Sequence, residues 1–294
     1  MSVFAGIVGQ ERAARALEQQ LAATGGQGST LVLGPEGVGR FLLSHAAARS
    51  ILGTSPAAAA RVGACTHADL HLLDDPSRGM DGVRDVLKAI AHRPAEGPRR
   101  VLLVRDADGF SEEALNAVLK TLEEPPAGAA IFLVAETGRF LPETVVSRCR
   151  IVRARALGEA ETVEVLRRHG APPDAARDAE GSPGRALYHV AAGIGEDADS
   201  LIGIVTGRVA DPFGEAERIA RSRGGEESRA RRRRQVETVR VAAARLRRDL
   251  PGGEFALRRL LDALGSLAAN ANPSIVFCDL ALTPWRRPAN SSPS

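Results

Sequence analysis

Aromatic side chains are scarce in this sequence: one Trp, one Tyr and eight Phe make up 3% of 294 residues. Stacking of single-stranded nucleic acid needs several such rings on one surface, so the composition argues against a stacking platform. Cysteine is also sparse. Cys65, Cys149 and Cys278 are too scattered for a disulfide framework or a paired-ligand metal site, and are expected as thiols. No apolar run reaches spanning length and no signal peptide opens the chain, so a cytoplasmic location away from any membrane is expected. Lysine occurs only at Lys88 and Lys120; every other cationic chain is arginine. The net charge of +3 is too small to demand a nucleic-acid ligand. Its distribution is uneven, however, with residues 209–294 carrying a formal +6 and residues 1–208 carrying −3.

Hydrophobic residues at 44% and charged residues at 26% are ordinary for a soluble globular chain, and the length allows two or three domains. The first half alternates two patterns. Short β-rich or continuous apolar runs are expected as strands at 30–33, 69–73, 101–104 and 130–135. Helical spacing is expected at 10–23, 40–51 and 81–91, and from Ser111, an N-cap, to about Leu122, where Pro125-Pro126 stops the helix. Strands alternating with helices predict a parallel sheet covered on both faces. After about residue 155 the β signal stops. Helices are expected at 159–168 and 175–192, interrupted at Gly181-Ser182-Pro183-Gly184, and the pattern stays helical from Asp197. Breaks are expected at Asp211-Pro212, Gly224-Gly225 and Pro251-Gly252-Gly253, before a polar, Pro-rich tail that is expected to be disordered.

Gly34-Pro35-Glu36-Gly37-Val38-Gly39-Arg40-Phe41, between a strand and a helix, has the glycine spacing of a phosphate-binding loop. In such a loop, backbone N–H groups cradle phosphates, a Lys reaches the β- and γ-phosphates, and a Ser or Thr hydroxyl ligates Mg²⁺. Here Arg40 and Phe41 occupy those last two positions. Phe41 cannot ligate a metal, and the planar fork of Arg40 does not replace an ammonium at a tight phosphate site. The shape of the motif is present without its chemistry.

Further phrases carry a family resemblance. Val8-Gly9-Gln10, Asp106-Ala107-Asp108, the helix phrase Asn116 to Leu122-Glu123-Glu124-Pro125-Pro126, Ser147-Arg148-Cys149 and Gly181-Ser182-Pro183-Gly184 occur in an order that resembles bacterial clamp-loader subunits of the AAA+ class. The resemblance covers nearly all of residues 1–190 and is nearest to the non-hydrolysing delta-prime kind. It implies an AAA+ domain at 1–155, a helical lid at 156–208 and a helical collar at 209–294 with a disordered tail from about 285. It makes Asp106 a remnant of the Mg²⁺-holding Walker B aspartate, with Ala107 where a catalytic Glu would stand; both Asp106 and Asp108 are otherwise read as capping the next turn. Glu136 falls where a γ-phosphate sensor would be Thr or Asn, and Gly184 where a second sensor would be Arg. Arg148 matches the arginine finger that a subunit offers to its neighbour's ATP.

The resemblance implies a stator of the DNA polymerase III clamp loader that neither binds ATP productively nor hydrolyses it. Gly34, Gly37, Gly39, Arg40 and Asp106 are then a degenerate nucleotide site, and Arg148 is the working residue. The implied partners are gamma/tau-type and delta-type subunits, with the sliding clamp and primed DNA reached through the complex. Two other readings remain: an active AAA+ ATPase with Arg40 in the Lys role, and a DNA-binding module built on Arg229 and Arg231–Arg234, a run also read as a solvated or subunit-facing helix. The family's four-Cys zinc module is reduced to Cys65 with His67 and His71 nearby, too few ligands for structural zinc, and these histidines are expected to be exposed or capping.

Overall fold

A computed structural model of the protein describes residues 2–74, 79–123, 126, 128–221, 226–249 and 253–282. The expected helix stop at Pro125, the breaks at Gly224-Gly225 and Pro251-Gly252 and the tail from about 285 lie outside the described residues. The chain divides into two compact units, the first comprising Met1–Val165 and Gly181–Gly184, the second Leu166–Glu180 and the chain from Arg185.

In the first unit the elements run α1 (Glu11–Thr24), β1 (Gly28–Leu33), α2 (Arg40–Leu52), α3 (Pro56–Gly63), β2 (Leu70–Leu73), α4 (Gly79–Ala91) and β3 (Arg100–Val104). There follow α5 (Glu112–Glu123), β4 (Ala129–Ala135), α6 (Glu143–Ser147), β5 (Arg150–Arg153) and the start of α7 (Glu159–Arg168). The five strands form one sheet in the order β2-β3-β4-β1-β5, and every adjacent pair is parallel. A parallel sheet must be covered on both sides, and its central strands accordingly read as unbroken apolar runs. All seven residues of β4 are buried. Successive side chains point to opposite faces, so Val32 and Phe132 join α1 and α2 in one core while Leu31, Leu33, Ile131 and Leu133 join α4 and α5 in the other. Each fully buried Leu, Ile, Val or Phe contributes roughly 1.5–3 kcal/mol. The N-cap expected at Ser111 is present, its Oγ accepting the Ala114 N–H at 3.2 Å.

Three elements of this unit depart from the sequence expectations: β5, α3 and the five-residue α6. Strand β5 was not anticipated: it is a four-residue edge strand with only Val152 buried, so its pattern is too short and too polar to announce itself. The Ala57–Ala60 stretch, by sequence only a small low-complexity patch, is the body of α3, which starts on Pro56 at its first position with Ser55 Oγ accepting the Ala58 N–H. That pair was a legible start signal.

The second unit is helical. A 3₁₀ turn (Pro173–Asp178) precedes α8 (Pro183–Ala191), α9 (Ile194–Val205), α10 (Pro212–Ala220), α11 (Ser228–Asp249), α12 (Glu254–Ala268) and α13 (Pro273–Leu282). Its core is built from α9 to α13 around Leu201, Ile219, Val239, Leu260 and Phe277. The expected helix at 175–192 is split, because Glu180 and Gly181 both take positive φ, 50° and 74°. That left-handed backbone cannot continue a helix.

Candidate functional site

The glycine loop leaves the end of β1 and enters α2, the context a phosphate-binding loop requires. Gly37 and Gly39 take φ of 76° and 100°, and Gly39 is the left-handed cap from which α2 starts. Gly34 has φ of 154°, and a Cβ there would lie 2.4 Å from the Ala154 carbonyl oxygen. Its N–H donates to the Glu136 carbonyl at 3.1 Å. Gln10 is 1% exposed and clips the neighbouring segments together. Its Nε2 donates to the carbonyls of Val38 (3.0 Å) and Arg155 (2.8 Å), and its Oε1 accepts the Arg155 N–H.

The open side of the loop is met by the Gly181–Gly184 segment. The Gly184 N–H donates to the Gly37 carbonyl at 2.9 Å, and Ser182 Oγ donates to the Glu36 carbonyl at 2.7 Å. A Cβ on Gly184 would lie 2.8 Å from the Gly37 Cα. The position at which the resemblance calls for a sensor arginine is thus a glycine in backbone contact with the loop.

Arg40 is buried at the first turn of α2, 8% exposed. Burial depresses its pKa, opposed in turn by the carboxylates of Glu136, Asp106, Asp108 and Glu36. An arginine stays protonated even so. Its Nη1 finds no hydrogen-bond partner. The buried guanidinium is therefore a fixed cation whose compensation comes from the chain's own carboxylates. Phe41 packs against the core beside α2, and the Arg105 guanidinium lies 4.2 Å from its ring centroid, a cation–π contact. Where a hydroxyl would face a metal, this chain presents a ring capped by a second arginine.

Asp106 follows β3 and Arg105 with φ of 56°, a left-handed position that Asp tolerates better than most residues. Its side chain makes no bond to the turn it precedes, so the capping role read from the sequence is not seen there. Asp108 caps a different element, accepting the Glu136 N–H at the end of β4. Ala107 is fully buried.

Arg148 is exposed, immediately after α6. Its Nη1 donates to the Thr144 carbonyl at 3.0 Å and its Nη2 pairs with Glu123 Oε1 at 2.8 Å. It lies on the surface of the first unit, outside the buried cluster around Arg40. Neighbouring Cys149 is shielded, and burial pushes its thiol pKa up to about 12, so it is no nucleophile at neutral pH.

In the segment that the resemblance compares with a zinc module, Cys65 is exposed, whereas His67 is 3% exposed, buried and not exposed as one reading had it. Its Nδ1 accepts the Asp69 N–H at 3.1 Å. His71 lies 2.9 Å from Arg100, and burial followed by that cation depresses its pKa. Among the described residues no three His, Cys, Asp or Glu side chains gather as metal ligands.

The arginine run on α11 is mostly engaged within the second unit. Arg234 is 1% exposed and pairs with Asp197 at 2.9 Å and Glu226 at 3.3 Å. Arg232 donates to the Leu267 carbonyl, Arg233 stacks 4.6 Å from the Tyr188 ring centroid, and Arg245 binds Asp178 and Asp199. Among the described residues only Arg229, Arg231 and Arg247 of the stretch 229–248 have no side-chain partner. The picture of a solvated helix face is therefore wrong for Arg234: the helix buries one side, and a charged residue falls on it. Sequence reasoning also missed the roles of Gln10, Arg105 and Glu123. A glutamine inside an apolar lead-in to α1 was the one usable signal among them.

Among known proteins, the family model described as DNA polymerase III, delta subunit matches residues 9–157, just over half of the chain. DNA polymerase III subunit delta' of Pseudomonas aeruginosa is 34% identical over 153 residues, covering 47% of this chain and 46% of the relative. The delta' subunit of Escherichia coli is 32% identical over 180 residues, 55% of this chain and 54% of the relative. Subunit tau of Salmonella typhimurium is 32% identical over 164 residues, 52% of this chain and 26% of the relative. The match thus spans about half of each delta' relative and a quarter of tau. The crystal structure of a DNA polymerase III gamma subunit-related protein from Thermotoga maritima has a TM-score of 0.51 at 18% identity, covering 92% of this chain and 97% of that one; it bears on the fold alone. Parallel sheet, glycine loop and matched segment agree, and the chain belongs to the DNA polymerase III delta-subunit family, on an AAA+ fold.

Proposed function

We propose that the chain is a delta-prime-type stator of the DNA polymerase III clamp loader: it neither binds nor hydrolyses ATP productively and lends Arg148 to the ATP site of an adjacent subunit. The contact between Gly184 and Gly37 carries this reading. A backbone sits where a phosphate-reading side chain would be needed, and the loop carbonyl it engages is fixed by it. The rest of the site supports the same reading. Arg40 is already balanced by four carboxylates whose field repels a polyphosphate, and Phe41 offers no metal ligand. The residues present do not fit a Mg²⁺-nucleotide. Arg148, by contrast, is exposed and cationic, as a finger acting in trans must be. The remaining roles follow from this reading: gamma/tau-type and delta-type subunits as neighbours, the sliding clamp and primed DNA as the objects of the assembly, the cytoplasm as its location, residues 156–208 as a lid and 209–294 as a collar. Among the described residues no helix is long and apolar enough to cross a membrane.

The test is reconstitution. The isolated protein is expected to show no ATP turnover above background, and turnover that Asp106→Ala abolishes would refute the stator role. In the assembled loader, Arg148→Ala is expected to leave assembly intact and to slow the one adjacent site by up to about 10³–10⁵-fold, with a smaller fall for the whole complex. Unchanged clamp- and DNA-stimulated hydrolysis would refute the finger. Metal analysis is expected to find no stoichiometric zinc.

A further inference from the structure

Arg148 is exposed, yet it is held at two points. Glu123 is the last residue of α5, and Arg148 directly follows α6. Helix α5 is anchored by Leu115, Val118 and Leu122, and α6 by Val145, all in the same core. The spacing between Glu123 and Arg148 is therefore set by packed helices. Glu123 Oε1 takes Nη2 at 2.8 Å while the Thr144 carbonyl takes Nη1 at 3.0 Å. A guanidinium is planar, so two anchors on different nitrogens fix its plane as well as its position. Of its five N–H groups, those not used by these bonds remain for an incoming anion.

We propose that Glu123 is a positioning residue for Arg148, holding the guanidinium in the orientation in which it meets a phosphate on a neighbouring subunit. This rests on the reading of Arg148 as a finger. A free arginine side chain loses considerable rotamer freedom when it docks, and a side chain already held in place loses less. Orientation of this kind acts on the rate of the reaction. The pair does little for the fold: its partners are 37% and 43% exposed, and pairs so open to solvent contribute little stability. Glu123 also has an opposing effect, since its charge offsets part of the guanidinium's field. The orienting effect prevails because the exposed carboxylate's field is screened by solvent and salt, whereas the hold it places on the guanidinium is not.

The test uses loaders reconstituted from gamma/tau-type and delta-type subunits with wild-type chain, Glu123→Ala, Glu123→Gln, Arg148→Ala or the double variant Glu123→Ala/Arg148→Ala. Clamp- and DNA-stimulated ATP hydrolysis is measured per assembled complex, together with the thermal unfolding of each variant alone. Glu123→Ala is expected to lower kcat about three- to fivefold, the scale of an exposed charge pair, with KM for ATP and the unfolding temperature unchanged. Glu123→Gln, which keeps an acceptor, recovers part of the loss, and the double variant falls no lower than Arg148→Ala. If Arg148→Ala is impaired while Glu123→Ala is as fast as wild type or faster, the positioning role is overturned and the finger stands. A double variant slower than Arg148→Ala overturns it too, because Glu123 would then act by another route. If Arg148→Ala is as fast as wild type, the finger itself falls, and the role of Glu123 with it.

Discussion

Arg234 offers the sharpest test of how the second unit is held together. Its side chain is 1% exposed and Asp197, its partner, is fully buried. Nη1 also donates to the Ile219 carbonyl (3.3 Å) and Nη2 to the Arg221 carbonyl (2.7 Å). Replacing Arg234 by Met keeps much of the volume and removes the charge. Asp197 then keeps Arg218, 2.8 Å away, but loses its fully buried partner, and two carbonyls lose a donor. Breaking a buried pair from one side costs about 3–5 kcal/mol. Because Arg218 remains, the lower end is expected, about 3 kcal/mol. Arg229, one helix face away and exposed, sets the baseline: Arg229→Ala should stay within about 0.5 kcal/mol of wild type. Urea unfolding followed by far-ultraviolet circular dichroism compares the two. The double variant Arg234→Met/Asp197→Leu should recover much of the loss, since an apolar pair avoids the desolvation cost of the charged one. If Arg234→Met unfolds at the same urea concentration as Arg229→Ala, Arg234 is not an internal strut and the basic run is a surface feature after all.

Asp69 is fully buried; burial alone would raise its pKa, but N–H groups of Ala95, Glu96 and Gly97 at 2.6, 2.9 and 2.7 Å, aided by Arg100, bring it below the ordinary value. A depressed folded pKa stabilises above the unfolded value of about 3.9 and is lost as the pH falls through the folded one. Asp69→Asn should therefore cost about 2–4 kcal/mol at neutral pH and flatten the acid side of a stability–pH profile measured by urea unfolding. Among the thiols, exposed Cys65 should be alkylated by iodoacetamide near pH 8 well before Cys149, whose pKa lies at about 12, and peptide mass mapping would show the order. Gly184→Ala should destabilise the first unit by about 1–3 kcal/mol, because its Cβ has only 2.8 Å to the Gly37 Cα, and a thermal melt reads the effect.

Most of the first unit could be read from the sequence, because a parallel sheet buried on both faces forces apolar runs such as 130–135, and the turns between them carry Gly, Pro and capping residues. Strand β5 was hidden because an edge strand with one buried residue carries almost no pattern. Arg40 and Phe41 were singled out by the glycine spacing and Arg148 by the family resemblance, but neither showed their partners. Arg105 reaches Phe41, Asp108 reaches the end of β4, and Glu123 reaches Arg148 across gaps that only the folded chain closes. The arginine run was misjudged at Arg234 for a related reason. On a helix so rich in charge the apolar stripe is faint, and the residue that falls on it is identified by Asp197, far away in sequence.

The glycine loop contains two kinds of information, and they come apart here. Gly34 has no room for a side chain because the Ala154 carbonyl lies where its Cβ would be, and its φ of 154° is open to glycine at little cost. Gly37 keeps φ of 76° and carries the carbonyl that Gly184 engages. These requirements come from packing β1, β5 and the Gly181–Gly184 segment together, and they hold whether or not a phosphate ever visits. Positions 40 and 41 have no comparable packing constraint in favour of Lys and Ser or Thr: the site accepts a guanidinium balanced by carboxylates and a ring under Arg105. Glycine spacing therefore reports the fold, while the two residues that follow it report the chemistry. The stator role proposed above requires the first and does not require the second.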